Sequence, residues 1–109
     1  MSAYLFTFRA PDDYAPSADT FGAWAAWQVK LGARLKDRGS VALAAAALGT
    51  STADTTLGGY SLIRATSLDA AVDLARGCPI LSYGGAVEVG ELTNHDDQFD
   101  QWLAQHLSA

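Results

Sequence analysis

The sequence predicts an α+β domain of the ferredoxin-like kind: a βαββαβ antiparallel sheet with an extra C-terminal helix. Three observations predict it. Apolar runs of strand length recur at residues 3–9, 40–48, 58–65 and 86–92. Two segments of helical period, 18–38 and 66–77, interrupt them in the order strand-helix-strand, strand-helix-strand. A third amphipathic segment, 95–107, follows the last strand. A chain of 109 residues has material for one domain, 1–109, with 95–107 as a helical extension.

Each element has its own signal. In 3–9, Tyr4, Phe6 and Phe8 share one face and Leu5, Thr7 and Arg9 the other. The segment PDDYAPSAD, with two prolines and three acids, is a loop that ends at Ser17 or Asp19 as a helix N-cap. From 18 to 38, Phe21, Trp24, Gln28, Leu31 and Leu35 repeat at three and four residues, with Trp27 widening the stripe. Gly39 is the expected glycine stop after the basic turn Arg34, Lys36, Arg38. SVALAAAAL, 40–48, follows that stop directly and reads as a strand. Residues 49–57 are polar and turn-like, which makes a hairpin with strand 58–65. Ser67 or Thr66 caps the second helix, Leu68, Ala71, Val72 and Ala75 form its apolar face, and Gly77 with Pro79 ends it. Residues 80–85 form a loop and 86–92 the last strand. Asn94 caps a final helix whose face is Phe99, Trp102, Leu103 and Leu107.

Composition narrows the function classes. Half the residues are hydrophobic, so a core forms without staples. The single cysteine, Cys78, excludes an intrachain disulfide. The N-terminus lacks the basic region of a signal peptide, and its apolar run is too short to span a bilayer, so a soluble cytoplasmic protein is expected with no membrane partner. A net charge of −5 with seven scattered Lys and Arg argues against a nucleic-acid partner. The strands are apolar on both faces, whereas helices cover only one face of such a sheet. Two copies packed sheet to sheet would bury the other, so a homodimer is expected.

The run from Gly58 to Leu92 resembles the YCII-related family. Its Gly58-Gly59-Tyr60 strand, the Leu68-Asp69-Ala70-Ala71 helix start, Cys78-Pro79 at the helix end and Val87-Glu88-Val89 in the last strand stand in that family's order and spacing. YLFTFR and the helix with Trp24, Trp27 and Leu31 are similar to the family's first half. The resemblance implies a fold of the dimeric α+β barrel group. It implies no single chemistry, although relatives include small lactone-processing and monooxygenase-type barrels. Two departures matter. The Asp-Gly-Pro-Phe motif found in part of the family is replaced by ADTTL, and the first helix lacks the histidine that some members pair with an aspartate for proton transfer.

Candidate chemistry is sparse. His95 and His106 share a helical face but lie about 16 Å apart in rise, so they cannot share an ion within the chain, and no metal site is expected. Cys78 has Arg76 nearby in sequence but no histidine, which suits a buried thiol better than a nucleophile. Glu88, between two valines, is the candidate catalytic base if the valines face the helices; pairing with Arg9 or Arg64 is the stronger alternative. Phe6, Trp24, Trp27, Tyr60, Cys78 and Tyr83 are the candidate ligand-binding residues, against the commoner role of such aromatics as core. Gly58-Gly59 and Gly84-Gly85 lack the context of a phosphate loop, and Ser82 lacks that of a nucleophile elbow. The sequence thus supports a cofactor-free enzyme or binder for a small apolar or aromatic metabolite. The alternative is a non-catalytic structural or accessory homodimer. A haem-dependent oxygenase of this fold would need an axial histidine in the first helix or central strands, and there is none.

Overall fold

A computed structural model of the chain describes residues 1–50, 54–93 and 97–107. The elements are β1 (Ser2–Pro11), α1 (Ala18–Leu31), β2 (Leu35–Val41), β3 (Thr55–Ala65), α2 (Leu68–Ala75), β4 (Ala86–Glu91) and α3 (Asp97–Leu107), with single 3-10 turns at Gly32–Arg34 and Pro79–Tyr83. Four strands form one sheet in the order β2-β3-β1-β4, every neighbouring pair antiparallel. This is the predicted ferredoxin-like α+β fold. The first strand lies inside the sheet, and the hairpin partners β2 and β3 lie together on one side of it.

Alternation in β1 decides which face is covered. Tyr4, Phe6 and Phe8 are buried opposite Ile63, Ser61 and Gly59 of β3 and opposite Glu91, Val89 and Val87 of β4. Trp27 and Leu31 of α1 and Ala71 and Ala75 of α2 pack on this face, with Cys78 and Ile80 closing the end. Small residues on β3 and α2 let the second helix approach, while the bulky side chains come from β1 and α1. Ser17 caps α1 in a capping box: its backbone N–H donates to Thr20 Oγ1 at 2.6 Å and its Oγ accepts from the Thr20 N–H at 3.2 Å. Ser67 caps α2, its Oγ accepting from the Ala70 N–H at 3.1 Å.

Two expectations fail together. The first helix does not run to residue 38, and 40–48 is not a strand. Gly32, at φ 57°, takes the positive-φ stop expected of Gly39, and its N–H donates to the Gln28 carbonyl. Beyond it Leu35–Val41 is β2, so Arg34, Lys36 and Arg38 lie along an exposed sheet edge and its approach rather than at a helix end. The reason is pairing. Leu35 opposite Ile63 adds to the covered face, a contact that a continued helix would forfeit. The register shifts twice between Leu35 and Ser40; there the Asp37 carboxylate accepts from the Gly39 N–H at 2.8 Å and Ser61 Oγ donates to the Arg38 carbonyl at 2.7 Å. Ser40 and Val41 of the expected strand pair with β3, and the Ala42 N–H donates to the Gly58 carbonyl at 2.9 Å; the alanine run beyond lies in exposed chain outside any strand, with Leu43 98% and Leu48 97% accessible.

The other sheet face carries Leu5 opposite Leu62, Thr7 opposite Tyr60, and Arg9 opposite Leu57. No helix covers it. Leu57 and Tyr60 are 43% and 40% exposed. α3 forms where expected, although its cap Asn94 and the neighbouring His95 lie outside the described residues. Its apolar stripe is open: Trp102 is 52% and Leu107 74% exposed. No described helix is long and apolar enough to cross a membrane.

Candidate functional site

α1 presents Ala23, Ala26, Trp27 and Lys30 along one side at helical spacing. Facing them are Gly77, Pro79, Ser82 and Tyr83 from the turn between α2 and β4. The space between is an open cleft of about 360 Å³. Small residues make the room: Ala23 and Ala26 leave the helix surface shallow, and a Cβ on Gly77 would stand 3.2 Å from Trp27 Cδ1. Trp27 is anchored in turn, because its Nε1–H donates to the Leu74 carbonyl at 3.1 Å. The indole is therefore a fixed wall with no spare donor. Lys30 and Ser82 bring polar side chains to the cleft.

Beyond Tyr83 lies a second hollow of about 350 Å³, lined by Asp13, Tyr14, Ala15, Ser17, Asp19 and Thr20. Tyr83 divides the two and meets Tyr14 edge-on with ring centroids 5.6 Å apart. Trp24 braces this partition: its Nε1–H donates to the Tyr14 hydroxyl at 2.9 Å and its ring meets Phe8 at 5.0 Å. The aromatic residues thus form one connected run from the core (Phe6, Phe8, Trp27) to the cleft rim (Trp24, Tyr14, Tyr83).

Of the residues singled out from sequence, Trp27 and Tyr83 line the cleft, with Trp24 behind its rim. Phe6 is fully buried beneath Trp27, stacked at 6.3 Å. Tyr60 is not with them: its register opposite Thr7 puts it on the uncovered face. Glu88 is there too. The flanking valines face the helices, and Glu88 stands opposite Thr7 from the other side. Tyr60, Thr7 and Glu88 thereby form a row across three strands. Arg9 does not pair with Glu88; its Nε and Nη2 donate to Oγ1 and the carbonyl of Thr55 at 3.1 and 2.7 Å. Among the described residues the one ion pair is Arg76–Asp73, so neither Arg9 nor Arg64 neutralises Glu88 within the protomer. Sequence reasoning missed Lys30 and Ser82. The 23, 26, 27, 30 spacing was the available signal, but it is polar-apolar mixed and competes with the stripe that faces the core.

Two groups have shifted acidities. Burial, followed by the Glu91 carboxylate, raises the Tyr4 phenol; its hydroxyl donates to Glu91 Oε1 at 3.4 Å. Burial pushes the Cys78 thiol up to about 12. A thiol this protonated is a poor nucleophile. Because its folded pKa lies above the unfolded one, its contribution to stability is complete below the unfolded value and is lost as pH rises from about 8.5 toward 12. Cys78 in the native protein is expected to resist an aromatic disulfide reagent at pH 8 and to react stoichiometrically in denaturant. Rapid native-state labelling would contradict this burial. Among the described residues no group of three or more His, Cys, Asp and Glu side chains converges as a metal site would require.

No family model matches the chain, and no curated protein does. Among solved structures, it is similar to 5-chloro-2-hydroxyhydroquinone dehydrochlorinase from Burkholderia phenoliruptrix AC1100, determined in complex with 2,5-dihydroxybenzoquinone. The TM-score is 0.57 at 22% identity, over 85% of this chain and 95% of that one. The likeness bears on the fold alone.

Proposed function

We propose that this chain is a YCII-related homodimeric protein that binds a small single-ring aromatic or quinonoid compound in the cleft between α1 and the turn before β4, without a resident cofactor. The cleft carries the reading. Its 360 Å³ lies at the small end of ligand sites, a size suited to one ring. Tyr83 offers an exposed ring, the buried Trp27 closes the floor with its indole edge, and Lys30 sets a cation at the rim where a phenolate or enolate oxygen would sit. The similar dehydrochlorinase was solved with a ligand of this class, a planar ring bearing ionisable hydroxyls. A proton relay is less developed than the binding walls, and the proposal is for a binder first. The free, buried thiol suits a reducing compartment, and we place the protein in the cytoplasm.

A second reading uses the opposite face. In a sheet-to-sheet dimer the Tyr60, Thr7, Glu88 row would lie between the two protomers, and Glu88, lacking an ion pair, would be the proton acceptor there. Calorimetric titration with 2,5-dihydroxybenzoquinone separates the two. Saturable binding is expected, with about tenfold loss for Lys30→Ala, roughly 1.4 kcal/mol, and little change for Glu88→Gln. The reverse pattern would move the site to the row. No heat with any hydroxylated quinone or phenol would leave the accessory homodimer as the better account.

A further inference from the structure

We propose that α3 of each protomer packs across the dimer onto the β2 edge of the second copy, an inference that rests on the homodimer reading above. Three observations carry it. First, α3 displays an apolar stripe containing Trp102 and Leu107 to solvent, and its sequence carries Asp97 and Asp100 with no Lys or Arg. Second, the β2 edge has the complementary character. Arg34, Lys36 and Arg38 are exposed and form no ion pair among the described residues, and Val41 and Leu43, further along, are 76% and 98% exposed. Its charges and two register shifts guard this edge against strand pairing, which leaves a helix as the element that can cover Val41 and Leu43.

Third, the topology decides whose α3 covers it. Within one protomer β2 and β4 are the two outer strands, about 14 Å apart across the sheet. Joining two uncovered faces by a two-fold axis that runs along the strands reverses left and right. It sets β2 of one copy beside β4 of the other and preserves level along the strands. Tyr4 pairs with Glu91 and also with Ile63, which pairs with Leu35, so the end of β4 and the start of β2 share a level. The chain that leaves β4 therefore emerges beside the second copy's Arg34 and Lys36. An axis across the strands would instead set β2 against β2, cation against cation. From there α3, about 16 Å long, fits along β2, whose seven residues span about 13 Å opposite Ile63–Gly59, with its acidic first turn by the cations and Leu107 over Val41.

The test uses two full-length variants at exposed positions, Val41→Cys and Leu107→Cys, mixed and exposed to mild oxidant. Mixing is expected to give a covalent dimer on non-reducing gels, absent from either variant alone. A chain ending at Thr93 is expected to dissociate at a concentration at least tenfold above that of the full chain by sedimentation. A full-length dimer that neither cross-links on mixing nor weakens on truncation would overturn the α3 placement and leave the dimer standing. A full-length chain that sediments as a monomer at all concentrations would overturn both.

Discussion

Phe6→Ala is expected to cost about 3–5 kcal/mol, enough to unfold a large part of the population of a domain this size. Phe6 has no exposed surface, sits at the middle of the central strand, and is covered by Trp27 at 6.3 Å. The neighbours cannot collapse into the space it leaves. Trp27 is tied to the Leu74 carbonyl, and Ile63, Val89 and Ser61 are held by strand register. The cavity term should therefore be near its maximum. Denaturant unfolding followed by far-UV circular dichroism would measure it. A loss under about 1.5 kcal/mol would mean that this part of the core is not packed as described.

Gly39→Ala is the second large effect, at about 3 kcal/mol or more, although it adds a single methyl group. Gly39 has φ 73°, a conformation that alanine adopts only under strain, and a Cβ there would land on the Tyr60 carbonyl oxygen. Relief requires β2 to leave β3 around the double register shift. Gly22→Ala is the control. Gly22 lies inside α1 with open space around its would-be Cβ, and the change should stabilise by about 0.5–1 kcal/mol. Thermal melts of the two variants should therefore shift in opposite directions.

The same glycines show what was legible in the sequence. Strands β1, β3 and β4 and helix α2 announce themselves through alternation and a serine cap, and they appear within a few residues of their expected bounds. The region from Gly32 to Leu48 does not. Leu31 and Leu35 are four apart, so helical period continues across the true stop. Gly32 and Gly39 are both plausible terminators, and only β3, distant in sequence, selects between them by offering Leu35 a partner in Ile63. The alanine run then looked like a strand because nothing local says that it lacks a neighbour. The site was half legible for a similar reason. Periodicity found Trp27, and the flanking valines put Glu88 on the face away from the helices, but no sequence rule says which face of a sheet that is apolar on both sides receives the helices, and Tyr60 went to the other one.

The place of β1 in the sheet has a kinetic consequence. Both its neighbours, β3 and β4, lie far downstream: Ser2 pairs with Ala65, and Tyr4 with Glu91. On the ribosome β1 is made well before either strand that encloses it. At about 5–20 residues per second, Tyr4, Phe6 and Phe8 wait roughly 5–20 s before β4 can arrive, so this aromatic segment lacks one of its two neighbours for most of elongation. Long-range pairing of this kind also slows refolding of the finished chain. Nascent-chain protection in YLFTFR should thus appear in one late step, after β4 has cleared the exit tunnel, rather than build up gradually with length.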